Sequence, residues 1–180
     1  MNKKDGTNLL DYVREKSEQD ILACYHCKKC TVGCPVASFM DIYPNAINRM
    51  IQYDQREEIL RSSTIWLCAG CETCGTRCPN DIDIAKVADV LKQLALQEGI
   101  RCGEKQIPVM HKVFVSGIQK RGRMHEVSLI RDMRMRSGGY FKDMGLAIKM
   151  FKMGKLNILP EKVKNIKEVK KLFRKVKRIR

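Results

Sequence analysis

The sequence predicts an all-α protein, and three observations carry that prediction. No stretch alternates apolar and polar residues with the period of a strand. Apolar residues recur instead at three- and four-residue intervals, most clearly at Ile84, Val87, Ala88, Leu91, Leu94 and Ala95. Helix-starting and helix-stopping residues bracket such runs: Pro44, Asp81 or Asp83, Gly99 and Pro160.

Taken in order, residues 8–23 read as a short helical lead-in. Pro44 opens a helix with Ala46, Ile47, Met50 and Ile51 on one face. Glu57 to Leu60 suit a second short helix, and Thr64 to Leu67 lead into Cys68. The long helix after Asp81 or Asp83 ends at Gly99. Beyond residue 100, Gln106-Ile107-Pro108 starts a helix carrying Met110, Val113, Phe114 and Ile118. Ser137-Gly138-Gly139 is a break, and a helix over 140–153 carries Phe141, Met144, Ile148 and Phe151. Pro160 starts the last helix, whose stripe is Val163, Ile166, Val169, Phe173 and Val176. The expected organisation is thus a motif-bearing domain over residues 1–100 and a basic helical, partner-docking extension over 101–180.

Composition limits the function classes. With 180 residues, 6% aromatic and 31% charged, the chain is too short for a barrel enzyme and too polar for one large core. No apolar run approaches the roughly 18 to 20 residues that span a bilayer. Met1 to Asp5 lead into charged sequence with no apolar signal-peptide region. The expectation is a soluble cytoplasmic protein with no membrane span. The net charge of +15 is divided unevenly. Residues 1–100 hold 12 basic and 14 acidic residues, whereas 101–180 hold 23 basic and 6 acidic. From Glu161 to Arg180 there are 10 basic and 2 acidic residues. Such a tail suits an acidic partner, an anionic membrane surface, nucleic acid or simple solvation.

The cysteines carry the chemistry. Cys24-x2-Cys27-x2-Cys30-x3-Cys34 precedes Pro35, and Cys68-x2-Cys71-x2-Cys74-x3-Cys78 precedes Pro79, each cysteine 44 positions after its counterpart. This spacing is the bacterial-type run for iron–sulfur clusters. Three cysteines at intervals of three wrap one side of a cubane, while intervening N–H groups offset the charge on its sulfurs. In two-cluster ferredoxins the fourth cysteine ligates the other cluster. That rule assigns Cys24, Cys27, Cys30 and Cys78 to one [4Fe–4S] cluster, and Cys68, Cys71, Cys74 and Cys34 to a second. Zinc is the competing reading, but zinc sites use two well-separated C-x2-C pairs rather than triplets. Lys28, Lys29 and Arg77 either soften the cluster charge or are ordinary solvated residues. Cys102 reads as a small packed residue. His26, His111 and His125 share no ligand spacing, and the scattered methionines read as packing. The lack of strands favours a helical ferredoxin over the hairpin-rich bacterial kind.

The segments Cys24-Tyr25-His26-Cys27-Lys28-Lys29-Cys30-Thr31-Val32-Gly33-Cys34-Pro35 and Ile65-Trp66-Leu67-Cys68 through Cys78-Pro79 resemble the two motifs of the heterodisulfide reductase C subunit. The resemblance covers roughly residues 10–100. The same helical module is similar to parts of succinate dehydrogenase, fumarate reductase, glycolate, lactate and glycerol-3-phosphate oxidation systems. No plant-type [2Fe–2S] pattern precedes Cys24, no Cys-Cys doublet occurs and no G-x-G-x-x-G is present.

What the resemblance implies is an electron-relay subunit with no substrate chemistry of its own. Such a subunit passes electrons from a flavin-bearing A subunit to a B subunit that reduces the CoM-S-S-CoB heterodisulfide in methanogenesis. Its implied partners are the A and B subunits and, through A, hydrogenase or formate dehydrogenase subunits. A relay subunit of another anaerobic oxidoreductase is the nearest alternative. An iron–sulfur protein that grips nucleic acid is the alternative of a different class, but the basic region interleaves few aromatics.

Overall fold

The computed structural model describes residues 8–100, 106–137, 149–150, 152–154 and 160–179. The described residues form helices and connecting turns, with no strand among them. The chain divides into two compact units, residues 1–105 and 106–180. None of the described helices is long and apolar enough to cross a membrane.

The first unit is built on α-helices α1 (Leu9–Ser17), α2 (Lys29–Val32), α3 (Pro44–Gln52), α4 (Arg56–Arg61), α5 (Thr64–Leu67), α6 (Thr73–Arg77) and α7 (Ile84–Gln97). Short 3-10 turns occupy Ile21–Ala23 and Ala37–Phe39. α7 is the axis, and α1, α4, α5 and α6 all pack against it. Its inward residues Val87, Ala88, Leu91, Leu94 and Ala95 are buried, as the apolar periodicity predicts. Leu9 and Val13 of α1, Ile47 and Ile51 of α3, and Ile65 of α5 complete this core. Asp83 supplies the N-cap of α7, accepting a hydrogen bond from the Ala85 N–H at 2.8 Å. At the other end Gly99 turns left-handed at φ 66°, and the Ile100 N–H reaches back to the Ala95 carbonyl at 3.0 Å.

Polar ties position the connecting segments. The Gln52 side chain donates to the Ile21 carbonyl at 2.9 Å, and the Asp83 N–H donates to Gln19 Oε1 at 2.7 Å. Asn80 donates to the Ala23 carbonyl. The bonds of Asp83 and Asn80 pin the entrance of the first cysteine run to the exit of the second, and that of Gln52 ties the same entrance to α3. α3 starts at Pro44 as expected, but its buried face is Pro44, Ile47, Asn48 and Ile51, with Ala46 and Met50 only half-buried. A polar side chain therefore occupies a core position that apolar periodicity does not reveal.

In the second unit α8 (Gln106–Arg121), α9 (Glu126–Ser137) and α10 (Ile166–Ile179) are described. α9 has little apolar periodicity, so the sequence does not announce it. It is fixed locally by His125, whose Nδ1 accepts from the Ser128 N–H at 3.2 Å and lies 2.8 Å from its hydroxyl. The last helix begins at Ile166 rather than at Pro160. The Val163 N–H donates to the Arg121 carbonyl at 3.0 Å, and Arg123 pairs with Glu161 at 2.9 Å, which holds residues 160–163 out of a helix. α10 packs on α8, half-burying Ile166, Val169 and Phe173, while Leu172 and Val176 face solvent. Part of the expected stripe is thus internal packing. The helix expected over 140–153, the break at 138–139 and Cys102 lie mostly or wholly outside the described residues.

Asp41 organises the turn before α5. Its carboxylate accepts from the N–H groups of Ser63 at 2.8 Å and Thr64 at 3.0 Å, and from the Thr64 hydroxyl. Partial burial pushes its pKa up, but the bonds from Thr64 and Ser63 outweigh this and hold it below the ordinary value. A carboxyl lowered in the folded state contributes stability above its unfolded pKa of about 3.9 and loses that contribution only below it. Asp41→Ala should therefore cost about 1 kcal/mol of unfolding free energy, the usual loss for a capping carboxylate. The cost should stay flat from pH 8 to pH 5, as measured by denaturant unfolding of the two proteins in parallel.

Candidate iron–sulfur centre

Both cysteine runs fold the same way, because the 44-residue repeat in sequence is a repeat in backbone. His26 (φ 54°) and Lys28 (φ 64°) are left-handed, and so are Gly70 (φ 63°) and Glu72 (φ 57°), 44 positions on. Each run then enters a short helix, α2 or α6, which pack on each other. Three of these four left-handed residues carry a Cβ, at a cost of about 1–2 kcal/mol each. The turns curl the chain around a space instead of letting it extend. Among the described residues, the N–H groups of residues 25–28 and 69–72 donate to no oxygen within the protein.

Two cavities result. The first, of about 360 Å³, is lined by Cys24, Cys27, Cys30 and Cys78, with His26 and Asn48 in its wall. The second, of about 470 Å³, is lined by Cys68, Cys71, Cys74 and Cys34, with Ala85 and Ala88 in its wall. The fourth cysteine of each run therefore stands in the cavity of the other run. Ile84 lines both. Among the described residues, no three His, Cys, Asp or Glu side chains converge tightly enough to hold a single ion. The thiols surround a volume rather than a point. That suits a cubane, in which each thiolate binds a different iron, better than one tetrahedral zinc with bonds of about 2.3 Å.

The eight thiols differ in environment. Burial pushes the Cys30 thiol up, against the opposing bonds from Thr31. Burial likewise raises Cys74, although the N–H groups of Ala85, Ile84 and Gly75 pull the other way, and Asp83 Oδ1 lies 3.9 Å from its sulfur. Cys71 is exposed and is lowered by the hydroxyl and N–H of Thr73. Cys30 and Cys74, the third cysteines of the two runs, are near enough for the charge of one to raise the other. Lys92 donates to the Cys68 carbonyl at 3.3 Å.

Two groups in the first cavity wall are orphans. Asn48 is 1% exposed, and its Oδ1 is buried with no hydrogen-bond partner. His26 Nε2 is buried and equally unpartnered. A buried polar atom left unpaired costs about 1–3 kcal/mol, so both sites call for a group that the polypeptide does not supply. Spacing alone did not single out Asn48, and His26 forms no ligand pattern. Comparing the two runs position by position would have flagged His26, whose counterpart is Gly70.

The comparisons with known proteins agree with this chemistry. Residues 20–82 match the family model of the 4Fe-4S dicluster domain. The chain is 38% identical over 78 residues to the C subunit of the ferredoxin:CoB-CoM heterodisulfide reductase of Methanosarcina acetivorans, covering 43% of this chain and 31% of that one. It is 31% identical over 94 residues to the iron-sulfur C subunit of the CoB–CoM heterodisulfide reductase of Methanopyrus kandleri, covering 52% and 49%. A third relative, the iron-sulfur C2 subunit of the CoB–CoM heterodisulfide reductase of Methanocaldococcus jannaschii, is 33% identical over 81 residues, covering 45% and 43%. The chain thus spans from 31% to 49% of the length of these curated relatives. Protein purified without oxygen should contain about eight irons and eight sulfides per chain. Iron and sulfide analysis with visible absorption checks this, and a zinc complement without visible colour would contradict it. The chain carries two [4Fe–4S] clusters, its residues 20–82 match a 4Fe-4S dicluster domain, and it is similar to the C subunit of heterodisulfide reductase.

Proposed function

We propose that this chain is the electron-relay subunit of a heterodisulfide reductase complex. It passes electrons from a flavin-containing A subunit to a catalytic B subunit that reduces the CoM-S-S-CoB heterodisulfide, and it carries no catalytic residue of its own. The observation that carries this reading is the pair of neighbouring cysteine-lined cavities with Ile84 common to both walls. Each cluster, when bound, takes up and releases one electron. The polypeptide holds the two sites close together and supplies hydrogen bonds to the ligand sulfurs. It also keeps Cys30 and Cys74 half-buried between the runs. The names of the relatives support the assignment to a heterodisulfide reductase. Co-purification under anaerobic conditions tests it: subunits bearing flavin and a cysteine-rich catalytic site should accompany the chain, and a different acceptor subunit would refute it.

The ligand sets follow the cavity linings, with Cys24, Cys27, Cys30 and Cys78 on the first cluster and Cys68, Cys71, Cys74 and Cys34 on the second. Cys34→Ser should then alter the spectroscopic signature of the cluster held by the second run, and Cys78→Ser that of the first. EPR of the reduced variants decides between crossed and uncrossed wiring. An effect confined to each residue's own run would reverse the assignment.

The second unit supports the docking side of the same reading. On α10, Leu172 is 63% and Val176 56% exposed, among Lys170, Lys171, Arg174 and Lys175. An exposed apolar ridge ringed by positive charge suits an acidic partner subunit. Replacing Leu172 and Val176 by Ser should leave the iron content unchanged and weaken partner affinity about tenfold, the effect of losing one modest interface anchor. Binding of the variant to the purified partner subunits measures this.

A further inference from the structure

The two cluster sites are copies in backbone and unlike in chemistry. His26 occupies the place that Gly70 takes in the second run, and Lys28 and Lys29 occupy those of Glu72 and Thr73. The helices behind the sites repeat the pattern. Counted from their first residues, Pro44 and Ile84, α3 puts Asn45 and Asn48 into the first cavity wall where α7 puts Ala85 and Ala88 into the second. On a lining that is otherwise largely apolar, the first wall thus carries His26, Asn45, Asn48, Lys28 and Lys29, whereas the second carries Ala85, Ala88, Thr64 and Thr73, with Glu72 in its lining and the Asp83 carboxylate beside Cys74.

The side chains that differ in the two linings favour reduction of the first site; against them, Lys92 at the Cys68 carbonyl and Arg77 packed on Gly33 beside Cys34 bring positive charge to the second. Adding an electron makes a cluster more negative, so hydrogen-bond donors and positive charge favour the reduced state, while carboxylates disfavour it. The unpartnered buried atoms of Asn48 and His26 both belong to the first site. Each residue can present an N–H: His26 through Nε2, and Asn48 through its amide, whose N and O exchange places on a half-turn about its last side-chain torsion. The backbone repeat supplies an internal control, since the second site has the same loop without these two side chains.

We propose that the two clusters are held at unequal reduction potentials, the first more positive than the second, with Asn48 and His26 setting the gap by hydrogen-bonding to the first. This rests on the ligand sets given above. In the transfer step the second cluster is oxidised by one electron and the first is reduced by one. No bond is made or broken, and no proton is required. The relay then has a direction: an electron arriving at the second site moves on to the first, and the first is the site from which the acceptor draws. Asn48 and His26 are positioning residues for this step, acting on the energy of the cluster rather than on any substrate.

The test uses the full-length chain with both clusters, purified anaerobically and titrated electrochemically with EPR detection. The first cluster's signal is the one that Cys27→Ser alters. In the unaltered protein the first cluster should be reduced at the higher potential. Asn48→Ala combined with His26→Gly gives the first wall the residues of the second. It should move the first potential down toward the second and leave the second unmoved. If the double variant does not assemble, His26→Gly alone decides, because glycine adopts the left-handed φ of that position freely. Equal or inverted potentials in the unaltered protein, or no shift of the first cluster in the variant, would overturn the proposal. Failure of the ligand sets would show separately, as a Cys78→Ser variant whose first-cluster signal is unchanged.

Discussion

Everything in the first unit depends on bringing the end of each cysteine run to the start of the other. Cys78 must reach the cavity of Cys24, Cys27 and Cys30, and Cys34 that of Cys68, Cys71 and Cys74. The helices between the runs answer this demand. α3, α4 and α5 carry the chain out and back, and α7 buries its apolar face against α1, α4 and α5. The bonds donated by Gln52, Asn80 and the Asp83 N–H then lock the junctions. Each cysteine loop passes through a left-handed conformation that side chains other than glycine adopt only under constraint.

Much of this was legible in the sequence because the relevant signals are local. Pro44, Asp83 and Gly99 act through bonds within a few residues of themselves, and α3 and α7 begin or end where those residues stand. The cysteine runs were legible for a related reason: a cluster demands thiolates at fixed spacing, and spacing is visible without coordinates. Asn48 was not legible, because its burial depends on what lies across the cavity and not on its neighbours in sequence. α9 escaped notice because its face is not apolar, and its start depends on a histidine acting as a cap. Pro160 misled because a proline that can begin a helix need not do so. Here the tertiary bond from Val163 to Arg121 consumes the N–H that the first intrahelical bond of such a helix would have used.

The repeat adds a comparison that one site alone could not provide. Where the two runs agree, as in their paired left-handed turns, the shared feature answers to the geometry of holding a cluster. Where they differ, as at His26 and Gly70 or at Asn48 and Ala88, the requirement of merely holding a cluster is already met by the plainer residue. The surplus polarity of the first wall needs another cause. Two unpaired polar atoms in a protein interior are a burden that a fold does not retain without return.

The crossing of the cysteines also bears on how such a protein is made. Synthesis proceeds from the N-terminus, so the first run leaves the ribosome well before Cys78 exists. At that stage the first cavity has three of its four thiols and a fourth, Cys34, whose place lies elsewhere. With the proposed ligand sets, neither site has all of its thiols until the second run has emerged, so the two sites are completed together rather than in turn. A chain ending between Cys34 and Cys68 contains neither of the two four-thiol linings.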